Sequence, residues 1–109
     1  MKEDIRAIAS IYPDKFELIE SEGISYLSIP RLRNDTTEGL FDLDDLSQDD
    51  VDIILKEVGI EYELYHGGKL WHYGVWKIEK PFDRPSSEAI YETKRIALEA
   101  AVKHARKLA

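Results

Sequence analysis

A chain of 109 residues has room for one domain and a core of its own, but not for a second domain. Its 43% hydrophobic and 34% charged residues are globular proportions, and no apolar run approaches the roughly 20 residues that cross a bilayer. The absence of cysteine excludes disulfides, a thiol nucleophile and thiolate metal ligands, and the net charge of −7 argues against gripping a phosphate backbone directly.

That charge is uneven: residues 1–54 hold five Lys/Arg against fourteen Asp/Glu, and residues 55–109 hold ten against eight. The opening MKEDIRAIAS has acids where a signal peptide has positive charge followed by a long apolar stretch, so a cytoplasmic protein without a membrane span is expected.

Residues 2–12 predict a helix, with Glu3 and Asp4 at its positive end and a stripe of Ile5, Ile8, Ala9 and Tyr12; Pro13 ends it. Residues 15–20 and 24–29 predict two strands about Ser21-Glu22-Gly23, where glycine supplies the positive φ of a tight hairpin. Pro30 closes the second strand. Residues 31–45 keep no period and carry turn signals at Asn34-Asp35 and Gly39, so a loop is expected, pinned by Leu40, Phe41 and Leu43. Ser47 and Asp50 have the spacing of a capping box ahead of Val51, Ile54, Leu55 and Val58, a second helix that Gly59 stops.

Residues 59–80 read as a second, aromatic-rich hairpin around His66-Gly67-Gly68-Lys69, followed by a rigid proline-bounded connector over 81–85. A long third helix is expected from Ser86 or Ser87, with Ile90, Ala97, Leu98, Ala101, Val102, Ala105 and Leu108 on one stripe. Glu88 and Glu92 stand near its start and Lys103, Arg106 and Lys107 near its end. The resulting expectation is a single α+β domain of helix-hairpin-helix-hairpin-helix order (αββαββα), with a four-stranded, mainly antiparallel sheet and three helices. A shift of 46 residues lays Ile5 on Val51, Ile8 on Ile54, Ala9 on Leu55, Tyr12 on Val58, Phe16 on Tyr62, Glu17 on Glu63, Leu18 on Leu64 and Ile29 on Val75, with the breakers Pro13 and Gly59 coinciding. This suggests either a duplicated αββ unit or two units sharing only an amphipathic pattern.

With two-residue turns at Glu22-Gly23 and Gly67-Gly68, strand alternation gathers Phe16, Leu18, Leu27, Ile29, Ile60, Tyr62, Leu64, Trp71, Tyr73 and Val75 on a core face. A turn at Gly68-Lys69 instead slips the register by two residues and leaves each face unchanged. The other face mixes Glu17, Ile19, Tyr26, Ser28, Glu61, Glu63, Tyr65, Leu70, His72, Trp76 and Ile78. Such a mixture is either covered by the C-terminal helix or is a contact surface for a protein partner or a second copy in a homodimer; Tyr26, Tyr65, Trp76 and Ile78 are its candidate residues.

Three other constellations carry less. Asp42, Asp44, Asp45, Asp49, Asp50 and Asp52 form an acidic patch that could mimic nucleic acid toward a host protein, though it lacks the glycine and terminal glutamate of a calcium loop. His66 and His72, with Glu63 opposite His72 in the first register, could centre a small metal protein or enzyme, but their spacing fits no ligand motif. Gly67-Gly68 has no helix or Gly-Lys-Ser/Thr ending to make a phosphate loop. No catalytic residue, metal or cofactor is expected.

The tail from Tyr91-Glu92-Thr93 through Ala97-Leu98-Glu99-Ala100-Ala101 to Ala105 and Leu108 resembles the closing helix of small uncharacterised α+β proteins of bacteriophages and prophages. There too a tyrosine near the helix start and an alanine-leucine body follow a tryptophan-containing strand. The resemblance covers about residues 70–109 and implies a small phage-type α+β protein without carrying over a functional residue. The reading that joins these expectations is a non-enzymatic protein-interaction module using a sheet face or an edge strand.

Overall fold

The computed structural model describes residues 1–33, 38–88 and 90–109. Its elements are α1 (Lys2–Ile11), β1 (Glu17–Ser21), β2 (Ile24–Ser28), a 3-10 turn (Pro30–Leu32), β3 (Leu40–Asp42), α2 (Gln48–Glu57), β4 (Ile60–Gly67), β5 (Leu70–Lys77) and α3 (Lys94–Leu108). The α+β character and the three helices are as expected. Among the described residues no helix is long and apolar enough to cross a membrane. The turn signals at Asn34-Asp35 lie outside the described residues.

The first two helices follow from local signals. Ile5, Ile8 and Ala9 of α1 and Val51, Ile54 and Leu55 of α2 are buried at helical spacing. The Ser47 Oγ accepts the Asp50 N–H at 3.1 Å and the Asp50 carboxylate accepts the Ser47 N–H at 3.0 Å, closing a full capping box. The first hairpin turns at Glu22-Gly23, both with positive φ, which matches the twist of the flanking strands. The second turns at Gly68-Lys69, since Gly67 pairs with Leu70, so the Gly67-Gly68 turn gives way to the alternative register.

The expected four-stranded sheet does not form. Instead β1-β2-β3 make one antiparallel sheet and β4-β5 another. Each hairpin fills its second strand's outer edge with the chain that follows it, and so neither needs the other. In the first, residues 40–42, expected as loop, become β3; three residues are too few to show a period. In the second, Gly74 bridges to Ser86 and Trp71 to Tyr91.

Those bridges also shorten the third helix. The N–H and C=O groups of Trp71 and Tyr91 bond each other at 2.7 and 3.1 Å, and the Ser87 N–H donates to the Tyr73 carbonyl at 2.8 Å. Ser86, Ser87 and Tyr91 therefore lie beside β5, Ile90 is exposed outside any helix, and α3 begins only at Lys94, where Thr93 Oγ1 accepts the Ile96 N–H. Its small Ala97, Ala101 and Ala105 are buried together with Leu98 and Val102. The Tyr73 hydroxyl lies 3.0 Å from His104 Nδ1, so α3 packs on the Tyr73 and Val75 side of the second hairpin and not on its mixed face.

Leu27, Ile29, Phe41, Ile60 and Val75 join the helix stripes in one core. Leu18, expected there, is exposed on the edge strand β1. The shift of 46 residues reappears in the backbone: it carries the start of α1 at Lys2 to α2 at Gln48 and on to α3 at Lys94, and Ser47 to the equivalent cap Thr93. It also carries the Ser28 to Leu40 pair onto the Gly74 to Ser86 bridge, and the Ile29 N–H to Gly39 O bond onto Val75 N–H to Pro85 O. The recurring set is thus one helix and three strands, the last reduced in the second half to bridges.

Candidate functional site: the open edge of the second hairpin

Hydrogen-bond directions in β5 fix those in β4. Trp71, Tyr73 and Val75 give their N–H groups to the Tyr91 carbonyl, Ser87 Oγ and the Pro85 carbonyl, all on the side away from β4. Their cross-strand partners His66, Leu64 and Tyr62 are then the non-hydrogen-bonded pairs of the ladder. Their own N–H and C=O groups point outward from β4, where among the described residues no other strand pairs with it. Among the described residues these outward groups have no partner.

Alongside this edge lies a cleft of about 200 Å³ between α2 and β4, lined by Asp52, Lys56, Glu61, Tyr62, Glu63 and Trp76. The Tyr62 hydroxyl donates to the Asp52 carboxylate and also lies near the Gln48 carbonyl. Burial, reinforced by the bond to Asp52, raises the Tyr62 pKa well above the usual tyrosine value. Trp76 forms part of the wall yet is only 4% exposed, and the Arg84 guanidinium stands 4.3 Å over its ring and 4.0 Å from Glu63.

On the mixed face, Tyr65 stacks on His72 with ring centres 4.8 Å apart. Tyr65 and Ile78 are 40% and 43% exposed. They and Trp76 share this face, as alternation requires, but Trp76 is a packed side chain and not an open contact. Tyr26 belongs to the other sheet, opposite Ile19 and Asp42, and does not join them.

The acidic run is largely occupied internally. Asp42 accepts the Asp44 N–H, Asp44 pairs with Lys2 at 2.8 Å, Asp50 completes the cap and Asp52 holds Tyr62; Asp45 and Asp49 are exposed. The histidines do not converge. His66 stacks on Trp71 on one face while His72 lies with Tyr65 on the other, and Glu63 faces Gly74. Among the described residues no group of three or more His, Asp or Glu side chains is placed to hold a metal.

Two participants have no sequence signal of their own. Arg84 sits in a proline-bounded connector and reaches Trp76 only through the path of that connector. Lys56 is an ordinary helix-surface lysine until β4 runs beside it. The chain matches no family model, no curated protein and no solved structure.

Proposed function

We propose that this protein is a non-enzymatic interaction module of the cytoplasm that binds a protein partner along the outer edge of β4 and the adjoining Tyr65 and Ile78 surface. The observation that carries the reading is the row of outward backbone groups at Tyr62, Leu64 and His66. An edge strand of eight residues without proline is a template for another strand. The exposed Tyr65, Leu70 and Ile78 beside it supply apolar contact of the kind found at interface centres. The kinship with small phage and prophage proteins, and the origin of the two halves by duplication, belong to the same proposal.

Leu64→Pro tests it, because proline removes one outward N–H while an edge strand accommodates the ring on that side. Partners captured from host extract by the natural protein are expected to be lost with Leu64→Pro and weakened with Tyr65→Ala, at unchanged far-UV circular dichroism. A partner that binds all three proteins alike refutes the reading.

A further inference from the structure

Resting on that reading, we infer that the strand received by the β4 edge is an extended segment of a basic protein, with an arginine or lysine whose cation enters the cleft between α2 and β4. Strand addition places the partner's side chains alternately on the two faces of the sheet, so those beside β4 stand next to Glu61 and Glu63 on one face. The cleft at that position holds the carboxylates of Asp52, Glu61 and Glu63 against two cations, Lys56 and, 4.0 Å from Glu63, Arg84. The open edge creates the site, and this imbalance selects its occupant.

Two internal comparisons support a cation. The chain's own Arg84 already lies against the Trp76 ring and Glu63, a pairing of aromatic face and carboxylate that suits a guanidinium. The first half of the chain has a groove that shares the cleft's two helix positions, between α1 and the β1-β2 hairpin, lined by Arg6, Ser10, Leu18, Glu20 and Ser25. There Arg6 bonds Ser25 Oγ at 2.7 Å and lies 3.5 Å from Glu20, so the groove contains its own guanidinium. The shift of 46 residues puts Asp52 in the place of Arg6, so the second groove, even with Arg84 at Glu63, holds three carboxylates against two cations.

A second copy of this chain is the poorer occupant. Each copy carries a net charge of −7, and pairing β4 with β4 brings Glu61, Glu63 and Asp52 of both together. Charged residues on an edge strand oppose self-pairing and leave it open to a complementary sequence.

The test is fluorescence anisotropy with labelled eight-residue peptides of alternating threonine and valine, carrying arginine, glutamine or glutamate at two alternate positions. The arginine peptide is expected to bind at least about tenfold more tightly than the glutamine peptide, the glutamate peptide not at all, and the preference to fall with added salt. Glu61→Gln combined with Glu63→Gln should remove most of the preference, and Leu64→Pro the binding itself, with circular dichroism verifying the fold of each variant. Equal binding of the arginine and glutamine peptides overturns the inference and leaves the edge-binding reading standing. Self-association in sedimentation that Leu64→Pro abolishes, without peptide binding, also overturns it by making a second copy the occupant. No binding of any peptide to a monomeric protein overturns the inference and, with partner capture insensitive to Leu64→Pro, the reading beneath it.

Discussion

Trp76 separates a stability residue from a contact residue, and Trp76→Ala measures which it is. A tryptophan side chain buries about 150–250 Å², and at 4% exposure nearly all of that is withdrawn from water. At about 25 cal/mol per Å² the transfer loss is about 4–6 kcal/mol, in line with the roughly 3–5 kcal/mol found when buried tryptophan or phenylalanine becomes alanine. Loss of the ring under the half-exposed Arg84 adds only about 0.5–1 kcal/mol. Against a total stability of about 5–15 kcal/mol, a cost near 4 kcal/mol is large. Urea unfolding followed by far-UV circular dichroism reads it: with a slope of about 2 kcal/mol per molar, the midpoint should fall by about 2 M. Tyr65→Ala and Ile78→Ala, whose side chains stand open to water, should each cost about 1 kcal/mol or less. A Trp76→Ala midpoint within about 0.5 M of the natural protein at unchanged slope, or an equal loss for Tyr65→Ala, would refute the reasoning.

The equivalent helix caps predict equivalent losses: Ser47→Ala and Thr93→Ala should each cost about 1 kcal/mol, seen as lowered thermal midpoints, with Ser47→Ala the larger because Asp50 reciprocates its bond. Burial, together with the Asp52 bond at Tyr62 and the neighbouring Tyr91 at Tyr73, raises both tyrosine pKa values in the folded state. Their contribution is therefore complete below about pH 10, the unfolded value, and is lost as pH rises above it, at up to about 1.4 kcal/mol per pH unit for each tyrosine. Tyr62→Phe should flatten this alkaline slope in urea midpoints taken from pH 9 to 11, and an unchanged slope would contradict the assignment. Burial, then Lys107, lowers the His104 pKa, so its contribution is present above about pH 6.5 and declines as pH falls below it. His104→Gln should remove that decline between about pH 6.5 and 5.5, and a decline that persists would count against it.

What was legible in the sequence is what neighbouring residues decide. The Ser47 and Asp50 spacing, the Glu22-Gly23 turn and the stripes of α1 and α2 need no distant partner, and each stands where the pattern puts it. Ser87 and Tyr91 stand where a helix start is expected but bond to β5, a choice made by the carbonyls of Tyr73 and Trp71 and invisible in Ser87 or Tyr91 themselves. The split into two sheets has the same origin, because which edge of a hairpin is free depends on the chain that returns to it. For the site, alternation assigned Tyr65, Trp76 and Ile78 to one face without any tertiary knowledge. It could not tell that Arg84 closes over Trp76, since the contact depends on the path of the connector.

The recurrence over 46 residues explains why the two halves share a backbone and yet differ in what their edges offer. The features that recur are those a backbone requires: helix starts, two-residue turns and the bond from the strand end to Gly39 or Pro85. Even there the side chains are not interchangeable. Gly39 adopts φ 76°, and a Cβ on it would stand 2.9 Å from the Ile29 carbonyl and from Leu32, whereas the equivalent position holds Pro85, whose ring fixes φ near −65°. The groove side chains diverge further, Arg6 against Asp52 and Ser10 against Lys56, because they bear on charge and not on chain path. The first groove pairs Arg6 with Glu20, whereas the second holds three carboxylates against Lys56 and Arg84 beside its strand edge. A partner is therefore proposed at β4 on the asymmetry between the two edges more than on the aromatic content of the second hairpin.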